Sequence, residues 1–318
     1  MMSEEKVSAE SIIIIVVPVL LGLLVIAGTF VLGKASNTES EVMPEVTAEY
    51  GERLLRDTVS LLGPDQPDAN MRYTGNRLDC ASCHLDTGNE PGTLSLLQSA
   101  SRYPRFMGRE NEERDLKDRI NGCMQRSMNG RSFARDSIEL AAMETYILDL
   151  GLKHAAMSEA KTVAVEPPAF IEPQRRADIA VGQIVYEQHC QICHGENGEG
   201  LKESTDISHG YLFPPLWGPD SYNNGAGMTR VLTAARFIKA RMPLGDETLT
   251  DDEAYDVSAY MNSKPRPVKS NLELDYPDLT LKPVDSPYPP YADSFSQEQH
   301  RLGPFDPIRE YYESLSSN

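Results

Sequence analysis

The chain is 318 residues long, 40% hydrophobic and 25% charged, with a net charge of −18 at pH 7. That length suits two or so domains, and the composition is that of a globular chain. The acidic balance excludes a general nucleic-acid binder, which needs a basic face for phosphate.

In chain order, a short acidic leader (1–10) precedes an uncharged run, "SIIIIVVPVLLGLLVIAGTFVLG" (11–33). About 20 apolar residues cross a bilayer as a helix, whereas a secretory signal has a shorter apolar stretch and an A-x-A-like cleavage site. This run is long and no such site follows, so an uncleaved transmembrane anchor is expected. Pro18 is compatible, because membrane helices tolerate proline. Lys6 and Lys34 flank the run, so the positive-inside rule does not orient it. Residues 34–44 are polar and read as a tether.

A helical pattern follows from about Val46 to Leu62, with Tyr50, Leu54, Leu55, Val59 and Leu62 on one face. "GPDQPDAN" (63–70) breaks it, and "CASCH" (80–84) comes next. A second helix is expected from Asp136, with Glu139 as capping partner, Ile138, Ala142, Tyr146 and Leu150 inward, and Gly151 as its stop. Residues 156–177 read as a linker. The order then repeats: a helix at about 178–189, "CQICH" (190–194), a long loop region, and a helix from Thr250 capped by Glu253 and carrying Tyr255, Val257 and Tyr260. These units define expected domains at 45–155 and 178–265. The remainder, 266–318, is rich in Pro and Tyr; Tyr276, Tyr288, Tyr291 and Phe305 favour an extended tail packed on the domains, since disordered segments are poor in aromatics.

C-x-x-C-H is a covalent haem c attachment signature. The two cysteines form thioethers to one porphyrin, and the adjacent histidine is placed under the iron. Cys80 and Cys83 with His84 would hold haem 1, and Cys190 and Cys193 with His194 haem 2. A dithiol redox motif wants a βαβ context that is absent, and a four-cysteine zinc site would leave both histidines unexplained. The expected fold is mainly α: two tandem cytochrome c-like domains, an N-terminal transmembrane helix and an extended tail. Haem attachment of this kind takes place outside the bacterial cytoplasmic membrane, so the domains are expected in the periplasm on a single-pass anchor.

Each iron needs a sixth partner. For haem 2 the candidate is Met242 in "FIKARMPLG", with Met228 and Met261 weaker; thioether sulfur raises the potential, as electron transfer wants. For haem 1 the candidates are Met107, Cys123, Met124 and Met128. Cys123 is the one cysteine outside the two motifs, in a compartment that oxidises loose thiols, and ligation would protect it. It stands in a basic island. Residues 101–135 hold nine Lys and Arg against five acids, +4 in a chain of −18. Some of these charges pair locally or serve haem propionates. The rest can shape an anion pocket, because arginine donates paired hydrogen bonds to oxyanions.

The segments "NRLDCASCH", "RINGCMQRSMNGRSF", the "MP" loop at Met242 and the tail "PVDSPYPPYADSFSQEQHRLGPFDPI" resemble the periplasmic thiosulfate dehydrogenases, diheme c-type enzymes that couple two thiosulfates into tetrathionate. The resemblance spans about 45–310. It implies His/Cys ligation at a catalytic haem 1 with Cys123 as the thiolate, Arg109, Arg119 and Ser127 as substrate-binding groups, and haem 2 as the electron exit. Cys123 would form a sulfur–sulfur adduct with one thiosulfate, which a second displaces as tetrathionate. An external acceptor, a small cytochrome c or other periplasmic carrier, takes the electrons, and the reverse reduction of tetrathionate uses the same site. Family members can carry lysine directly before the haem 2 methionine; here that residue is Arg241, which cannot ligate, and Lys239 lies two residues further back as a possible competitor. The alternatives are a diheme electron shuttle without substrate chemistry and another haem-thiolate sulfur-oxidising cytochrome.

Overall fold

A computed structural model describes residues 45–160 and 169–316. The expected leader, anchor and tether (1–44) lie outside the described residues, as do linker residues 161–168. Among the described residues, no helix is long and apolar enough to cross a membrane.

The fold is mainly helical. Helix α1 (Ala48–Arg56) is capped by Thr47, whose hydroxyl accepts from the Tyr50 N–H at 3.1 Å. The expected single helix to Leu62 is broken at Asp57, and α2 (Thr58–Leu62) follows. The break serves the motif downstream. Thr58 Oγ1 donates back to Leu54 O at 2.7 Å and accepts from the Cys80 N–H at 3.1 Å, while Asp79 accepts from the Val59 N–H at 2.8 Å. Strands β1 (Arg105–Met107) and β2 (Glu112–Arg114) pair antiparallel, Met107 opposite Glu112, leaving Gly108–Asn111 as the loop. Helix α3 (Leu116–Arg126) starts on a capping box of Asp115 and Asp118.

Helix α4 (Ile138–Glu159) is capped by Ser137 rather than Asp136, and it runs through Gly151. A glycine stops a helix when it takes the left-handed conformation. Gly151 does not; instead it lets the Ala100–Arg102 turn approach, since a methyl there would lie 2.9 Å from Ala100 Cβ. The expected linker therefore begins later than residue 156.

In the second unit, Asp178 caps α5 (Ile179–His189), and α6 (Gln191–His194) is a single turn. Strands β3 (Leu201–Lys202) and β4 (Tyr211–Phe213) form a small antiparallel ribbon. Helix α7 (Val231–Arg241) stands where a loop was expected. It buries Val231, Leu232, Ala234, Ala235, Phe237, Ile238 and Ala240, so it is apolar around most of its circumference and shows no one-sided stripe. Helix α8 (Asp251–Ser263) begins on the expected Thr250–Glu253 capping box. The tail is not simply extended: it contains α9 (Gln297–Leu302) and α10 (Asp306–Ser316).

Each unit is built on one close helix crossing. A Cβ on Gly51 in α1 would meet Ala142 O of α4 at 2.1 Å, and one on Gly182 in α5 would meet Asp256 O of α8 at 2.0 Å. Leu54, Met124, Leu140, Met143 and Leu150 form the first core, Val185, Tyr186, Trp217, Val257 and Met261 the second. A third joins Leu302, Phe305 and Ile308 of the tail to Val231, Ala235 and Tyr255. The second unit also reaches into the first, where Tyr222 and Ala226 are part of its core.

Candidate functional site

The two C-x-x-C-H segments have the same local geometry. In each, the N–H of the second cysteine donates to the first cysteine's carbonyl at 3.2 Å and the histidine N–H does so at 2.9 Å. His84 Nδ1 lies 2.6 Å from Leu94 O, and His194 Nδ1 lies 2.8 Å from Pro214 O. A carbonyl only accepts, so Nδ1 carries the proton and Nε2 is left bare, the tautomer that ligates iron. Burial holds both imidazoles below their ordinary range, His84 also through Arg119. Burial pushes the Cys80 thiol up to about 12, Cys83 to about 11 and Cys190 to about 12. The cysteine pairs sit against separate cores, Cys80 on the first and Cys190 on the second. No group of three or more His, Cys, Asp or Glu that could hold a metal ion occurs among the described residues. The residues fit covalent haem c and do not make a shared four-cysteine zinc site.

Cys123 lies on α3, half-buried, and close enough to Cys80 and Cys83 that its charge raises both thiols. Arg119 is one turn before it and Ser127, the helix C-cap, one turn after, so the three share a face. The negative form of Cys123 is the largest influence holding the Arg119 guanidinium above its ordinary range. Arg119 is exposed and forms no ion pair among the described residues. Arg109 sits in the β1–β2 loop, near enough to Arg119 for the two cations to repel. Its Nε is buried without a hydrogen-bond partner, 3.8 Å from Asp275 Oδ2.

The other sulfur candidates at haem 1 are placed differently. Met124 and Met128 are 1% and 4% exposed within the first core, and Met107 is on β1. In the second unit, Met242 is the C-cap of α7 and packs on the core that Cys190 touches. Met261 is buried within α8, and Met228 packs against both cores. Lys239 Nζ donates to Leu249 O at 2.5 Å. Arg241 is spent on the first unit: it pairs with Glu90 at 2.9 Å and donates to Pro91 O.

The basic island sorts into spent and unspent charges. Arg135 pairs with Asp115 and Asp118, Arg114 with Glu112 at 2.6 Å, and Arg126 with Asp275 at 2.6 Å. Arg131 stacks on Tyr73 at 3.8 Å. Arg119 has no ion pair among the described residues, and Arg109 only a loose one with Asp275 at 3.8 Å.

Several residues that shape this site have no local sequence signal. Asn223 Nδ2 donates to Gln125 O at 2.9 Å, its N–H to Arg126 O at 3.2 Å, and Asn76 Nδ2 to Ser127 O at 2.8 Å. These satisfy carbonyls at the end of α3 that the helix leaves open. Asp275, Tyr276 and Tyr288 belong to the same surroundings. Their partners are remote in sequence, and only a co-varying pair would have pointed to them.

Residues 72–153 match the family model described as SoxA/TsdA, cytochrome c domain, and residues 177–261 that of cytochrome C oxidase, cbb3-type, subunit III. The chain is 40% identical over 201 residues to the thiosulfate dehydrogenase of Stutzerimonas stutzeri (strain A1501), across 63% of this chain and 64% of that protein. It is 38% identical over 225 residues to that of Allochromatium vinosum, across 69% of this chain and 77% of the relative. Among solved structures it is similar to the "as isolated" thiosulfate dehydrogenase (TsdBA) of Marichromatium purpuratum, with TM-score 0.60 and 36% identity, covering 70% of this chain and 47% of that one. The chain thus spans just under two thirds of the Stutzerimonas protein and about half of the Marichromatium chain.

Proposed function

The chain belongs to the thiosulfate dehydrogenase family, and we propose that it couples two thiosulfates into tetrathionate at the Cys123 site. One observation carries this reading: the free cysteine shares a helix face with Arg119 and Ser127, and Arg119 in turn neighbours Arg109, two cations that hydrogen-bond to no carboxylate among the described residues. An electron shuttle has no use for such a constellation.

Thiosulfate is a dianion with a nucleophilic outer sulfur, and bringing two together costs charge repulsion. Arg109 and Arg119 offset that repulsion by charge-assisted hydrogen bonds to the sulfonate oxygens. The Ser127 hydroxyl, which makes no hydrogen bond to protein among the described residues, donates a further one. Cys123 thiolate and one thiosulfate form a sulfur–sulfur bond with loss of two electrons. The outer sulfur of a second thiosulfate then attacks that adduct, releasing tetrathionate and restoring the thiolate. Two covalent haems c, on Cys80, Cys83 and His84 with Cys123, and on Cys190, Cys193 and His194 with Met242, supply one-electron acceptance when bound. The electrons leave to an external carrier such as a small cytochrome c. The same groups serve tetrathionate reduction in reverse. We place the protein at the outer face of the cytoplasmic membrane, held by residues 11–33.

The test is thiosulfate-dependent ferricyanide reduction by the native protein and Cys123→Met. The substitution keeps a soft sulfur but no thiolate. Native turnover, with a fall of about a hundredfold or more in the variant at unchanged haem content, is the expected result. Near-native oxidation by Cys123→Met would refute the covalent role, and absence of turnover in the native protein would refute the assignment.

A further inference from the structure

The residues that hold Arg109 and Cys123 relative to one another come from the tail. Asp275 is 7% exposed and accepts two hydrogen bonds from Arg126, at 2.6 Å on Oδ1 and 2.8 Å on Oδ2. Arg126 is the last residue of α3, three positions after Cys123. Tyr288 Oη donates to Oδ2 at 2.7 Å, and Arg109 Nε stands 3.8 Å from the same oxygen. The next residue, Tyr276, donates its N–H to Arg109 O at 2.8 Å, and the Arg109 guanidinium lies over its ring at 5.7 Å from the centroid. Two consecutive tail residues therefore grip both the loop that carries Arg109 and the helix that carries Cys123. Tyr276 does this at φ 61°, a left-handed conformation that is unfavourable for a bulky side chain. Such strain persists only where the surroundings impose it.

We propose that Asp275, together with Tyr276, is a positioning residue for the anion site: a clasp that sets the separation of Arg109 from Cys123. This rests on the reading of Arg109 as an anion-holding group. The clasp is distinguishable from mere charge tuning because the two predict opposite signs. Removing a carboxylate beside Arg109 leaves the site more positive, with Arg126, Lys269 and Lys282 still nearby, and charge alone would then tighten a dianion. Loss of the clasp lets the loop and helix drift, and displacement by about 1 Å weakens binding sharply.

The experiment compares Asp275→Asn with the double variant Asp275→Leu, Arg126→Met. Asp275→Asn leaves Arg126 buried without a counter-charge and risks misfolding. The double variant removes the pair together, which buried pairs often tolerate, and keeps the local net charge. The thiosulfate KM is expected to rise about tenfold or more in both, with kcat within about threefold. Amide hydrogen exchange over 105–126 is expected to quicken in both. A KM within about twofold of native in the folded double variant overturns the clasp, as does a lower KM in Asp275→Asn or unchanged exchange. If the native protein fails to oxidise thiosulfate, the proposed activity falls, and the exchange comparison still decides the clasp.

Discussion

Substituting the two crossing glycines tests the architecture on which both cytochrome c domains rest. Gly51→Ala would place a methyl 2.1 Å from Ala142 O and 2.7 Å from Tyr146 Cβ; Gly182→Ala would place one 2.0 Å from Asp256 O and 3.0 Å from Tyr260 Cβ. Carbon and carbonyl oxygen rest at roughly 3.3 Å or more. Each helix pair must therefore part by about 1 Å, and a gap of that size forfeits roughly a quarter to a half of the dispersion at the contact. Overpacking costs about 1–3 kcal/mol, and the upper end applies because the obstacle is backbone rather than a flexible side chain. Alanine returns about 1 kcal/mol of helix propensity. The crossing wins, and a net loss of about 2 kcal/mol is expected for each variant. Urea unfolding of the haem-loaded protein, followed by Soret absorbance, measures it. Gly51→Ala should disturb the haem 1 signal first and Gly182→Ala that of haem 2. A variant as stable as the native protein, or more so, would show that propensity outweighs the crossing and refute the reasoning.

Met242→Gly should shift the haem 2 potential and leave the haem 1 spectrum unchanged, as read by redox titration; an unchanged potential would implicate Lys239 or Met228. Lys282 is 4% exposed among Tyr276, Tyr288 and Tyr291, and burial pushes its amine down to about 8 from 10.5. The unfolded chain then binds the extra proton between those values, so this group's penalty on folding is full below about pH 8 and fades as pH rises towards 10.5. The tyrosine faces favour the cation and reduce the effect. Tail stability should therefore rise by at most a few kcal/mol across that window, and Lys282→Met should lack the rise in a pH series of hydrogen exchange.

The two C-x-x-C-H segments were legible because each is a local device. In C-x-x-C-H, five consecutive residues bring the groups together through bonds back to the first cysteine, and distant carbonyls only orient the histidine ring. The Thr250–Glu253 box and the Asp178 cap are local in the same way. Cys123 stood out by simple arithmetic on cysteines, and its i, i+4 relation to Arg119 and Ser127 followed once α3 was a helix. Local signals misled where their effect depends on neighbours. Gly151 looked like a stop but admits Ala100, and α7 looked like a loop because it is buried on most sides.

The tertiary structure alone decided which arginines are closely paired. By sequence, Arg109, Arg119, Arg126 and Arg135 are alike. Arg135 meets Asp115 and Asp118 about a helix length away, Arg126 meets Asp275 from the tail, and Arg241 crosses to Glu90 in the other unit. Arg119 meets no carboxylate among the described residues, and Arg109 only flanks Asp275, whose two oxygens already accept from Arg126. Charge pairing falls off with distance and depends on burial, and chain order sets neither when partners lie a hundred residues apart. So the sequence determined which residues can attach haem and which cysteine is spare, while long-range packing determined which charges surround it.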